Sequence, residues 1–109
     1  MNGFAYGITK VATEQLTRTL ATEFALNNIP VRVNGIAPGT FATDMTAPSE
    51  YWAEAAKDPI PGSLLPAPVL RVGRESELVM TALYLASRGG GYTNGHTILM
   101  DGGWAAVNP

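Results

Sequence analysis

The sequence predicts an α/β fold built around a parallel pair of strands, and three observations carry that prediction. Segments of helical period alternate with short β-branched runs in the order helix, strand, long loop, helix, strand. A helix stands between the two strands, which calls for a parallel pair joined by a right-handed crossover. Parallel strands are normally covered on both faces, and a lone pair is barely stable. The pattern is therefore the one expected at the end of a larger α/β sheet.

Composition narrows the class of protein. The chain has 109 residues, 46% of them hydrophobic and 15% charged, which suits one globular domain at most. Seven basic residues against nine acidic ones leave a net charge of −2. That balance gives no electrostatic footprint for nucleic acid and no basic helix for a membrane surface. With no cysteine, disulfides, thiolate metal sites and cysteine nucleophiles are excluded. No apolar run reaches the length of a membrane span, and the first residues lack the charged and apolar regions of a signal peptide. The cytoplasm is the expected compartment.

The first helix is expected over residues 6–28. Ile8, Ala12, Leu16, Leu20 and Phe24 recur every four residues and make one broad apolar face, with Val11 beside it. Asn27-Asn28 and then Pro30 stop it, because asparagine tolerates the left-handed end and proline cannot continue a helix. The β-branched run at 31–37 is expected to be a strand closed by Pro38-Gly39. Pro38 to Gly73 then holds six prolines and no clean period, so a long functional loop is expected there, with a short helix around 48–57. A second helix is expected over 75–88, with Glu75 and Glu77 in its first turn and Arg88 at its end. Gly89-Gly90-Gly91 ends it, Asn94-Gly95 makes a tight turn, and a second strand follows at 96–101.

Two segments can carry chemistry. In Tyr6-Gly7-Ile8-Thr9-Lys10 a phenol and an ammonium lie four residues apart, on one face of a helix. A nearby cation favours the phenolate, and such a pair can exchange a proton with an alcohol or carbonyl oxygen. The same spacing also arises by chance on solvated helices. In the second, a strand ends in Pro38-Gly39 and is followed by the hydroxyls of Thr40 and Thr43. This puts amides and side-chain oxygens at the carboxyl edge of a sheet, where open α/β folds bind ligands. Taken alone, it reads more readily as a strand followed by an ordinary turn. The lone His96 makes no metal site, since zinc needs several such ligands. Glu50, Glu54 and Asp58 fit a solvated helix face better than paired acid/base work.

Taken together, type, order and spacing resemble the C-terminal portion of the short-chain dehydrogenase/reductase family, and in particular its 3-oxoacyl and carbonyl reductase-like members. The residues that carry the likeness are Tyr6 with Lys10, Arg32-Val33-Asn34 leading into Pro38-Gly39 and Thr43, Gly73-Arg74, and Asp101-Gly102-Gly103. The likeness runs from Tyr6 to about Trp104. It implies part of a Rossmann-type doubly wound parallel sheet and hydride transfer between NAD or NADP and a carbonyl or alcohol. By the resemblance, Tyr6 is the general acid/base, and Lys10 holds the nicotinamide ribose. Pro38, Gly39, Phe41 and Thr43 meet the nicotinamide. Residues 44–72 form a substrate lid in which Met45, Tyr51, Trp52, Ile60, Leu64 and Leu65 suit an apolar or aromatic substrate. The resemblance also implies a homo-oligomer, built through the first helix and the last strand.

Other family features are missing from these residues. No Gly-x-x-x-Gly-x-Gly turn occurs, and Gly89-Gly90-Gly91 leads into a strand, so it cannot aim amides from a helix N-terminus at phosphate. The family's serine upstream of the tyrosine, and the acidic or basic residue that selects NAD from NADP, have no counterpart. The isolated chain is thus expected to be inactive for want of a dinucleotide-binding half. The alternative is a non-catalytic remnant that acts through self-association or by pairing with a full-length relative.

Overall fold

The computed structural model describes residues 3–39, 41, 57 and 64–108. Helix α1 spans Gly3–Leu26, strand β1 Gly35–Pro38, helix α2 Glu75–Ala86, strand β2 Thr97–Met100 and the short helix α3 Trp104–Val107. A single 3-10 turn, Arg88–Gly90, follows α2. The chain forms two compact units, one of Met1–Ile36 with Tyr84–Ile98 and the other of Ala37–Leu83 with Leu99–Pro109.

Helix α1 carries five threonines, β-branched residues that normally cost a helix stability. Four of them turn the hydroxyl back to a carbonyl one turn earlier: Thr9 to Ala5 (2.8 Å), Thr13 to Thr9 (2.9 Å), Thr17 to Thr13 (3.1 Å) and Thr22 to Arg18 (2.9 Å). The helix stops where Asn28 enters the left-handed region at φ 58°. There the Ile29 amide donates to Phe24 O (2.8 Å) and the Asn28 amide to Ala25 O (3.2 Å), the paired bonds of a Schellman ending. Pro30 follows at once.

The expected apolar stripe of α1 is not buried along its length. Ile8 and Leu16 are each 56% exposed, Leu20 and Phe24 are half-buried, and the buried apolar side chain among the described residues is Ala21. Ala21 sits against Gly95, where an added Cβ would lie 3.4 Å from it. Helical period marks which residues share a face; burial needs a neighbouring layer to cover it, and two short strands supply little of one.

The two strands pair in parallel. The Gly35 amide donates to His96 O (2.9 Å) and the Gly39 amide to Met100 O (2.8 Å), so both partners advance four residues in the same direction. In this register odd-numbered residues of β1 aim their N–H groups at β2. Pro38, which has none, falls on the opposite parity, so the pairing loses no donor. Gly39 is required by proximity: a Cβ there would stand 3.0 Å from Asp101 Cα.

Strand β1 starts four residues later than the β-branched run at 31–37 suggests, and includes Pro38. The backbone of that run is taken by a turn instead. The Val31 amide donates to Ile29 O (2.8 Å), the Val33 amide to Asn94 Oδ1 (3.0 Å), and Val33 O accepts from the Gly95 amide (2.8 Å). Strand β2 is likewise shorter than 96–101, because Asp101 leaves it to cap α3. Its Oδ1 accepts from the Gly103 amide (3.0 Å) and its Oδ2 from the Ala105 amide (2.9 Å).

Helix α2 begins with the Glu77 half of a capping box. The Arg74 amide donates to Glu77 Oε1 (2.9 Å) while the Glu77 amide donates to Arg74 O (3.0 Å). It ends at Ala86 and does not reach residue 88, because Ser87 is extended (φ −90°, ψ 175°) and its hydroxyl bonds back to Tyr84 O (2.9 Å). Arg88 accordingly lies in the 3-10 turn. Of the expected loop at 44–72, residues 64–72 form neither helix nor strand and Lys57 lies in a turn. Residues 48–56 lie outside the described residues.

Arg32 adds side-chain donors to carbonyls where α2 and the 3-10 turn end, of which Ser87 O and Gly90 O already accept backbone amides. Its Nη1 donates to Gly90 O (2.6 Å) and Thr93 O (3.3 Å), and its Nη2 to Ser87 O (3.4 Å). Asn34 adds Nδ2 to Thr93 O (2.8 Å) and accepts from the His96 amide at Oδ1 (3.1 Å). Gly90, buried at the centre, has no room for a side chain: a Cβ there would meet Tyr84 O at 2.5 Å and Leu85 O at 2.9 Å. At Gly89 the nearest atom would be 3.4 Å away. Gly90→Ala is therefore expected to destabilise the chain by about 1–3 kcal/mol, with Gly89→Ala close to neutral. Urea denaturation of the two variants side by side checks this.

Candidate active site

Tyr6 and Lys10 both belong to α1, and four residues along a helix return to the same face one turn on. The Thr9 hydroxyl, between them in sequence, donates to Ala5 O (2.8 Å). Lys10 is exposed. The side chain of Tyr6 lies outside the described residues.

Pro38 ends β1, and Gly39 follows it with its amide still paired to Met100 O (2.8 Å). Both stand at the carboxyl edge of the parallel pair, the edge at which open α/β sheets bind ligands. Phe41 is half-buried and makes an isolated parallel bridge with Gly73. Its ring occupies the space that a side chain at position 73 would need, which explains the glycine of Gly73-Arg74. Thr43, Met45, Tyr51, Trp52 and Ile60 lie outside the described residues. Leu64 and Leu65 are 78% and 50% exposed. Tyr6 and Lys10 belong to the first compact unit, and Pro38, Gly39, Phe41, Leu64 and Leu65 to the second.

The triple glycine is structural, as the sequence indicates. Gly90 O is taken by Arg32, and the Gly90 and Gly91 amides donate to Ser87 O (3.1 Å) and Arg88 O (3.0 Å), so neither amide is free for phosphate. His96 is exposed, and its backbone amide is held by Asn34. Among the described residues no three His, Asp or Glu side chains cluster to hold a metal. Likewise, among them no helix is long and apolar enough to cross a membrane.

Two structural features escape sequence reasoning. Arg32 is a three-carbonyl hub, visible in sequence only as one residue of a motif. Asn108 is buried at 7% exposure and binds the backbone of residues more than forty positions away. Nothing local in its sequence marks it.

Comparison with known proteins places the chain. A family model described as Enoyl-(Acyl carrier protein) reductase matches residues 1–105. The short-chain dehydrogenase/reductase VdtF of Byssochlamys spectabilis is 42% identical over 108 residues, covering 99% of this chain and 33% of that protein. The chain belongs to the short-chain dehydrogenase/reductase family. Another member, the 2-dehydro-3-deoxy-D-gluconate 5-dehydrogenase of Bacillus subtilis, is 38% identical over 100 residues, covering 92% of this chain and 37% of that one. Among solved structures, a short-chain dehydrogenase/reductase from Mycobacterium marinum superposes with a TM-score of 0.68 at 33% identity, over 91% of this chain and 35% of the other. A short-chain dehydrogenase family protein from Francisella tularensis gives 0.72 at 27% identity, over 96% and 45%. The α/β arrangement is that of part of the family's Rossmann-type fold. The chain spans about a third of the length of these curated relatives.

The charged pair beside this segment of the family fold is Arg71 with Glu77. The guanidinium forks onto the carboxylate at 2.7 and 2.9 Å and ties the end of the 64–72 segment to α2. The hydrogen bond from Arg71, followed by the Arg74 amide, lowers the Glu77 carboxyl from 4.5 to about 2, and Glu77 in turn raises Arg71. A depressed carboxyl pKa contributes stability that is whole above the unfolded value and lost as pH falls through the folded one. The tie should therefore hold at pH 5 and weaken between 4.5 and about 2. Side-chain NMR titration of Glu77 checks this, and Arg71→Ala should move its midpoint back up towards the ordinary value.

Proposed function

We propose that this chain carries the catalytic tyrosine of an NAD(P)-dependent oxidoreductase that interconverts a carbonyl and an alcohol, and that it corresponds to the carboxyl-terminal part of such an enzyme's domain. The observation that carries the reading is the placement of Tyr6 and Lys10 one turn apart on α1, in a chain of this family. The Pro38-Gly39 corner at the carboxyl edge of β1 supports it.

The donor set suits the nicotinamide end of a dinucleotide. An ammonium at Lys10 fits ribose hydroxyls, and the peptide edge at Pro38, Gly39, Phe41 and Thr43 fits the ring and its carboxamide. The phosphate end finds no match: these residues contain no Gly-x-x-x-Gly-x-Gly turn, and the amides of the Gly89–Gly91 turn are already paired. When bound, the nicotinamide supplies or accepts the hydride. In the reductive direction the Tyr6 phenol donates its proton to the substrate carbonyl oxygen, and in the oxidative direction the phenolate takes it back. Lys10 favours the phenolate through its charge and fixes the ribose, so one side chain serves both tasks.

Residues 44–72 form the substrate lid. Met45, Tyr51, Trp52, Leu64 and Leu65 give it an apolar character that suits a carbonyl compound with an apolar or aromatic portion. The Bacillus subtilis relative is named for a sugar acid, so a polar keto acid is the competing substrate class. No nucleic acid or membrane partner is part of this reading, and the cytoplasm is its compartment. A second reading, association of the chain with itself or with a full-length relative, is favoured by the exposed apolar side chains Ile8, Val11 and Leu16 on α1 and Leu99 on β2. The same surfaces would build a homo-oligomer of the complete enzyme.

Two experiments test the catalytic reading. Titration of NADH or NADPH into the 109-residue chain should give no tight binding and no turnover. Joined to the amino-terminal part of the Bacillus subtilis relative, the chain should reduce that relative's substrate, and Tyr6→Phe should lower kcat by about 10²- to 10⁴-fold. An active chimaera indifferent to Tyr6→Phe would refute the assignment.

A further inference from the structure

The stretch from Leu64 to Arg71 has neither helix nor strand, yet its backbone is fastened at several points to the carboxyl-terminal turn. Asn108 makes the first fastening. One oxygen, Oδ1, accepts from the Leu64 amide (2.9 Å) and the Leu65 amide (3.0 Å), and Nδ2 donates to Leu65 O (2.9 Å) and Trp104 O (3.0 Å). The carboxamide thus uses both polar atoms twice, in a site only 7% exposed. A second fastening lies four residues on, where the Val69 amide donates to Gly102 O (3.0 Å). Close approach here depends on glycine. Gly102 and Gly103 are left-handed (φ 63° and 89°), and added side chains would stand 3.3 Å from Val69 and 3.2 Å from Pro68. While the backbone of 64–65 is gripped from inside, the side chains of Leu64 and Leu65 remain exposed.

We propose that Asn108 is a positioning residue for the substrate-facing segment. By holding both amides at 64 and 65, it sets where Leu64 and Leu65 stand, and so couples the carboxyl-terminal turn to the shape of the substrate site. The role of the segment rests on the function proposed above; the tether rests on the hydrogen bonds alone. A cap for α3 would need only Trp104 O, which the Asn108 backbone amide already reaches (3.1 Å). The two amides at Oδ1 lie outside any such task.

The test is amide hydrogen exchange on the 109-residue chain and two variants. Asn108→Leu keeps the volume and removes both polar atoms. Exchange at Leu64 and Leu65 should rise by about tenfold or more, the local opening expected when buried amides lose their acceptor. The amides of Val69, held by Gly102, and Gly39, held by Met100, should keep their rates. Asn108→Asp retains the acceptor and loses only the donors, so it should preserve most of the protection at Leu64 and Leu65. Unchanged exchange at these two amides in Asn108→Leu overturns the proposal. So does an equal rise at Val69 and Gly39, which would make Asn108 a contributor to general stability only. A chimaera without turnover would sink the substrate reading and leave the exchange result standing.

Discussion

The parallel pairing of β1 with β2 is the constraint from which the rest of this chain takes its position. Its register is set by two glycines, one at each end. At Gly35 a Cβ would stand 2.9 Å from the Thr97 hydroxyl, and at Gly39 one would stand 3.0 Å from Asp101. Because the amides of odd-numbered residues face β2, Pro38 can end β1 without losing a bond, and the Pro-Gly corner falls at the carboxyl edge. On the far side of the pairing, Arg32 and Asn34 turn their side chains into backbone partners for the turn that follows α2. The segment before β1 is thereby spent on support.

Much of this is legible in sequence wherever the cause is local. The helical period of α1, its end at Asn28, the acidic first turn of α2 and the left-handed Gly95 all follow from residues within a few positions of one another. What sequence leaves dark depends on distant partners. The start of β1 is displaced because Val33 finds Asn94 and Gly95, some sixty residues on, before it finds a strand. The apolar face of α1 is correctly grouped, yet Ile8, Val11 and Leu16 are exposed, since burial belongs to the layer that covers a face. Asn108 is invisible to any pattern because its four bonds reach two separate segments.

The candidate site divides along the same line. Tyr6 with Lys10 needs only helical geometry to share a face, and the motifs that accompany the pair are what single it out. Pro38 and Gly39 need only a strand end. The segment 64–72 is different: its amides are satisfied by the carboxyl-terminal turn and its end is tied by Arg71 to Glu77. A loop rich in proline thus gains order from elements that follow it in the chain.

The central claim of the proposal is that a phenol and an ammonium on α1 serve one reaction, the phenol at the substrate oxygen and the ammonium at the nicotinamide ribose. A crystal structure of the chimaeric enzyme with oxidised nicotinamide dinucleotide tests it most directly. The account predicts the Lys10 ammonium within about 3 Å of the ribose hydroxyls and the Tyr6 oxygen within hydrogen-bond reach of the substrate oxygen. A structure in which the dinucleotide is bound and Lys10 stands away from its ribose would contradict the account.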